Sequence, residues 1–141
     1  MSKKEFKLKD TGHRMKSETG AMRDRQPGKG RFDLISPFAL IRLAQVYEKG
    51  AAKFADRNWE SGLPYSWLID SALRHLTQYL MGKDDEDHLA QAAFNIFALM
   101  HFEDAMPDKF DDLPHYISKM PPYSDLKRRL EKLIEEKYPN K

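Results

Sequence analysis

The sequence predicts an all-α fold, on three observations. Apolar residues recur at helical spacing through four stretches, beginning near Pro37, Ser66, His88 and Leu126. Each is preceded by residues that start helices: Ser36-Pro37, Ser66, the acidic run Asp84-Asp85-Glu86-Asp87, and Ser124-Asp125. Strong breakers, Gly82 and the prolines at 107, 121 and 122, fall between the later stretches. The expected architecture is a compact bundle of three to five helices with an irregular basic N-terminal arm, its core completed by oligomerisation. The expected division is an arm over residues 1–31, a helical core over 32–105, and a connector with a C-terminal helix over 106–141.

Composition narrows the function classes. The 141 residues are 40% apolar and 33% charged, which suits one globular domain. No apolar run approaches the ~20 residues of a membrane span. The first residues lack the apolar segment of a secretory signal, so a cytoplasmic location is expected. Without cysteine there is no disulfide, thiolate metal site or thiol nucleophile. The net charge of +2 conceals an asymmetry: residues 1–31 carry ten Lys/Arg against four Asp/Glu, and the remainder fourteen against eighteen. A basic arm on an acidic body suits a phosphorylated ligand or acidic protein surface; non-specific nucleic-acid binding is the minor option.

Along the chain, residues 1–30 show no helical period, and the glycine-flanked cations from Arg23 to Arg31 read as a loop able to approach phosphate. A helix from Pro37 follows, with Phe38, Leu40, Ile41 and Leu43 on a broad face. It either pauses at Gly50 or runs on to Phe54. The next loop places Lys53, Arg57, Asn58 and Trp59 close together. An indole can stack on a base, an amide can read its edge and cations can hold phosphates. The same residues also suit a core-plugging Trp and a surface ion pair.

The second helix, from Ser66 to Leu80 or Met81, carries Ile69, Ala72, Leu73, Leu76 and Leu80 as its expected core stripe. Asp70 and Arg74 share another face at ion-pair spacing. Gly82 ends it. Four consecutive acids then exceed what one helix cap needs, and carboxylates suit Mg²⁺ or Mn²⁺. The third helix combines His88, Gln91 and Asn95 with an apolar stripe of Leu89, Ala92, Ala93, Ile96, Leu99 and Met100. An element this apolar is expected to be buried. Its amides then either bond one another and the second helix or line a polar cavity, and the neighbouring acids favour the cavity. A proline-punctuated connector leads to a last helix with Leu126, Leu130, Leu133 and Ile134 on one side.

Three blocks, GAMRDRQPGKGRFDLISPFAL, GAAKFADRNWESGLPYS and DSALRHLTQYLMGKDDEDHLAQAAFNIFALMHFED, resemble in that order the blocks of the dATP/dGTP diphosphohydrolase N-terminal family. This is a phage-associated family related in helical layout to MazG-type nucleoside-triphosphate pyrophosphohydrolases. The resemblance covers about residues 20–105. It implies a MazG-like all-α fold and Mg²⁺- or Mn²⁺-dependent cleavage of a purine (deoxy)nucleoside triphosphate to monophosphate and pyrophosphate.

Carried over by position, it makes His75, His88 and Asn95 candidate catalytic residues. Arg31, Lys53, Arg57, Asn58, Trp59 and Arg74 are candidate substrate contacts, and Asp70, Glu86 and Asp87 candidate metal ligands. The E-E-x-x-E and E-x-x-D patterns of MazG-type enzymes are absent, and His88 and Gln91 stand where the second would place carboxylates. The alternative is a protein that binds and sequesters a nucleotide without cleaving it. A homodimer or homotetramer is expected, because so few helices with interior amides need a partner chain.

Overall fold

The computed structural model describes residues 8, 10–24, 28–119 and 123–139. In chain order these form strands β1 (Arg14–Lys16) and β2 (Met22–Asp24), then helices α1 (Pro37–Lys53), α2 (Tyr65–Leu80), α3 (His88–Ala105) and α4 (Tyr123–Lys137). Short 3₁₀ turns lie at Phe32–Leu34, Asn58–Ser61 and Ile117–Lys119. The fold is all-α apart from one two-stranded sheet. No helix among the described residues is long and apolar enough to cross a membrane. The chain divides between Leu40 and Ile41 into two compact units.

The first unit corrects the expectation of a wholly irregular arm. β1 and β2 pair antiparallel, with Met15 opposite Arg23. A tight turn joins them: Gly20 N–H donates to Ser17 C=O, Ser17 N–H donates to Ala21 C=O, and Gly20 holds φ 85°. The Asp24 carboxylate accepts from the Thr11 hydroxyl at 2.6 Å, and Arg14 reaches Asp10 with two nitrogens at 2.7 and 2.8 Å. Both faces of this hairpin meet solvent, so it leaves no hydropathy signal. Arg25, Gln26 and Pro27 of the expected cationic loop lie outside the described residues.

α1 starts as its sequence indicates. Pro37 opens it, and the Ser36 hydroxyl oxygen accepts from Ala39 N–H at 3.3 Å. The helix runs through Gly50 to Lys53. Of its apolar residues only Leu43 is buried.

The core of the second unit is the antiparallel pair α2–α3. Tyr65, Leu68 and Ala72 face Ala92, Ala98 and Phe102, whose alanines let the two backbones come close. This corrects the expected stripes. Leu73, Leu76 and Leu80 on α2 are exposed, Leu80 to 86%, and Ile96, Phe97 and Met100 on α3 are exposed as well. Both helices are apolar on two sides. The side that meets within the chain bears Ala72, Ala92 and Ala98 with Ser71, His88 and Asn95, and its bulky residues, Tyr65, Leu68 and Phe102, lie at the end packed against the connector. The Asn95 amide donates to the Ser71 hydroxyl at 3.2 Å and to the Gln91 C=O at 2.8 Å. Asn95 therefore joins the two helices, where a polar cavity had been expected.

The α2–α3 turn is built by Gly82. Lys83 N–H bonds the Gln78 C=O at 3.1 Å and Gly82 N–H the Tyr79 C=O at 2.9 Å, a Schellman pattern with Gly82 at φ 82°. Asp87 caps α3 by accepting from Ala90 N–H at 3.1 Å. The same carboxylate accepts from Arg42 Nε at 2.8 Å and Nη2 at 2.6 Å, a bidentate pair that ties α1 to the start of α3. The Arg42 guanidinium is the main reason that the Asp87 carboxyl is held down at about 2.

The connector does more than its prolines suggest. Met106, Phe110 and Leu113 pack against the Tyr65–Leu68–Ala98–Phe102 core. Tyr65 N–H donates to the Phe110 C=O at 3.0 Å, and Asp112 accepts from Ser66 N–H at 2.8 Å and from the Ser66 hydroxyl. Ser66 therefore lies inside the first turn of α2, and the carboxylate that caps this turn comes from 46 residues away. α4 begins three residues before the expected Leu126, and Leu130, Leu133 and Ile134 are exposed.

Gly62 has φ 110°, and a Cβ there would lie 2.0 Å from the Phe110 ring. Gly62→Ala is expected to lower stability by about 2–4 kcal/mol, read by urea unfolding, from backbone strain and overpacking together. Asp87→Ala is expected to cost about 1–2 kcal/mol at pH 7 through loss of the cap and a half-exposed ion pair. Because the folded carboxyl titrates below its ordinary value of 3.8, this contribution is complete above about pH 4. It disappears as the pH falls toward 2, so wild type and variant should converge there; a gap unchanged at pH 2.5 would contradict the assignment.

Candidate functional site

His88 opens α3, and its side chain is only 1% exposed. A buried imidazole needs partners at both nitrogens, and His88 has them. Its Nε2 lies 2.8 Å from Asp85 Oδ1, and its Nδ1 lies 2.9 Å from Nδ1 of His75 on α2. The Asp85 carboxylate only accepts, so Nε2 of His88 carries a proton. In the neutral pair His88 Nδ1 then accepts from His75 Nδ1–H. Burial first, and then the neighbouring His88, hold His75 below the ordinary imidazole range, which favours its neutral form.

Glu86 completes the group. One ligand atom each from His75, Glu86 and His88 lies within 4.8 Å of the other two. Two imidazoles and a carboxylate this close together are a donor set that can hold a divalent metal ion, and Asp85 is placed to orient one of those imidazoles. The acidic run thus divides its labour. Asp85 holds His88, Glu86 stands exposed beside the histidines, and Asp87 caps α3 and pairs with Arg42.

The other residues singled out from the sequence are distributed around the second unit. Asp70 and Arg74 pair with each other on the exposed side of α2. Asn95 is buried in the α2–α3 interface about two turns along from His88. Lys53 lies with its Nζ 5.3 Å from the Phe54 ring centre. Arg57 has the left-handed φ of 57° and pairs with Glu60, and Asn58 is exposed. Trp59 is half-buried in an aromatic cluster, edge-on to Tyr47, Phe94 and His101, the last at 4.8 Å between ring centres. Arg31 belongs to the first unit, where it makes two hydrogen bonds to Asp33 at 2.8 and 2.6 Å.

Sequence reasoning named Asp85 only as one of four consecutive acids, not as the partner of His88, and missed Arg42. Asp85 had a signal, its position three residues before His88, whereas Arg42 had none. A cavity of about 300 Å³ lies elsewhere along the same helix pair, lined by Tyr65, Ile69, Leu99, Glu103, Asp108 and Asp111 among others. Three of its lining side chains are carboxylates.

Comparison with known proteins gives one positive finding. The profile of the family described as dATP/dGTP diphosphohydrolase, N-terminal, matches residues 19–112. That span includes α1 to α3 and the turn bearing Asp85 and Glu86, and it ends at Asp112, the carboxylate that caps α2. No curated protein and no solved structure matches the chain significantly. The match covers well over half of the chain, which belongs to the dATP/dGTP diphosphohydrolase N-terminal family.

Proposed function

We propose that this protein is a metal-dependent hydrolase of a purine (deoxy)nucleoside triphosphate, releasing the monophosphate and pyrophosphate. The observation that carries this reading is that the family match spans the whole of the His75–His88–Glu86 group and its supporting turn. This donor set suits a divalent ion, which when bound would neutralise phosphate charge and lower the pKa of a water. The chain's own contribution is positional. Asp85 and the buried wall around His88 keep the imidazole fixed, and the Asp87–Arg42 pair holds the turn that presents Glu86. Exposed cations within the same unit, Lys53, Arg57 and Arg74, are available to a triphosphate once they leave their present partners. The half-buried Trp59 offers an aromatic edge to a base. Control of a nucleotide pool in the cytoplasm, for a phage, is the role that fits this activity and the resemblance.

The unpartnered apolar faces support a homo-oligomer. Leu73, Leu76 and Leu80 on α2, and Ile96 and Met100 on α3, form exposed rows that exceed the isolated apolar residues of an ordinary surface.

The protein incubated with each dNTP and NTP plus a divalent ion is expected to convert a purine nucleotide to monophosphate and pyrophosphate, and Glu86→Gln should lower the rate at least 100-fold. Stoichiometric binding without product would favour sequestration of the nucleotide over hydrolysis. Light scattering is expected to give a mass of at least twice 16.5 kDa, and Leu76→Glu should reduce it. A monomeric wild type would contradict the oligomer.

A further inference from the structure

We propose that the ion held by this group is a late first-row transition metal of the Fe²⁺, Co²⁺ or Zn²⁺ class, ligated by Nδ1 of His75, Nδ1 of His88 and the carboxylate of Glu86. The inference deepens the hydrolase reading and rests on it for the ion's purpose, but not for its binding. The resemblance implies Mg²⁺ or Mn²⁺, and the donor set departs from that. Mg²⁺ takes oxygen ligands and is reluctant to shed water, whereas imidazole suits the later ions. Two of the three donors here are imidazole nitrogens.

The geometry supports the same class. Two nitrogens bound to one ion at roughly 2.0–2.1 Å, with a right angle between them, lie about 3 Å apart. The two Nδ1 atoms are 2.9 Å apart, held by the hydrogen bond that His75 Nδ1–H donates; an ion bound by both would take the place of that proton, which moves to Nε2 of His75. The opposite nitrogen of His88 bonds the Asp85 carboxylate at 2.8 Å, the arrangement by which a carboxylate fixes the tautomer of a metal-bound histidine. That bond sends the proton of His88 to Nε2 and leaves the Nδ1 lone pair aimed at His75. His88 is buried and so held in place, while Glu86 is exposed and free to close on an ion. Asp85 is thus a positioning residue, not a ligand. Mg²⁺ keeps a separate place in this scheme, entering with the triphosphate as part of the substrate.

The test uses the full chain, stripped with a chelator and free of nucleotide. Titration with Co²⁺ is followed by visible absorption, and Zn²⁺ and Mg²⁺ are compared by calorimetry. One Co²⁺ or Zn²⁺ per chain is expected, at least 100-fold tighter than Mg²⁺, with Co²⁺ bands of nitrogen–oxygen ligation. His75→Ala, half-buried and so the safer substitution, should abolish the bands while circular dichroism shows a folded protein. Asp85→Asn should keep one site per chain but weaken it 10–100-fold and shift the His88 imidazole ¹⁵N resonances toward a mixture of tautomers. Equal affinity for Mg²⁺ and Co²⁺, or unchanged Co²⁺ binding in folded His75→Ala, would overturn the proposal. Tight Co²⁺ binding through His75 without nucleotide turnover would support the ion site and sink the hydrolase reading. Turnover with Mg²⁺ alone that survives His75→Ala would do the reverse.

Discussion

The constraint on which the second unit depends is the burial of the His88 imidazole. A polar ring with no access to water must find a partner at each nitrogen, or cost about 1–3 kcal/mol for each one left empty. His88 satisfies one nitrogen from the turn before it and the other from the facing helix. Those two bonds join the start of α3 to the turn before it and to α2. The Gly82 turn, the Asp87 cap and the Asn95–Ser71 bond then all fall into the register that His88 requires.

The same constraint explains an inversion of the usual amphipathic logic. The side of α3 turned inward carries His88, Asn95, alanines and Phe102, while Ile96, Phe97 and Met100 face outward. A polar group buried against a facing helix needs a close approach of backbones to be bonded, and alanine permits that approach where leucine does not. Once the small, polar sides are matched within the chain, the large apolar sides remain for another surface. The groups that satisfy His88 are also the donors and the support of the proposed ion site.

Much of the fold was legible in local patterns. The four helices, the cap at Ser36, the stop at Gly82 and the acids before His88 each follow from residues within a few positions of one another. The Asp70–Arg74 pair was legible for the same reason, and it stays an exposed pair. The hairpin of the first unit escaped because neither of its faces is buried. Asp112 escaped as the cap of α2 because its partner lies 46 positions away. For the candidate site, His75, Glu86 and His88 stood out singly, but nothing local says that residues 13 apart place their Nδ1 atoms within hydrogen-bond distance.

By itself the sequence determined which segments are helical, where they start to within three residues, and which family blocks they carry, because capping, breaking and periodicity act over one or two turns. Only the tertiary structure decided which side of each helix faces inward, which acid caps and which supports a histidine, and that two imidazoles meet. Those outcomes depend on side chains distant in sequence competing for the same buried space and the same few hydrogen bonds, and a one-dimensional pattern does not contain that competition.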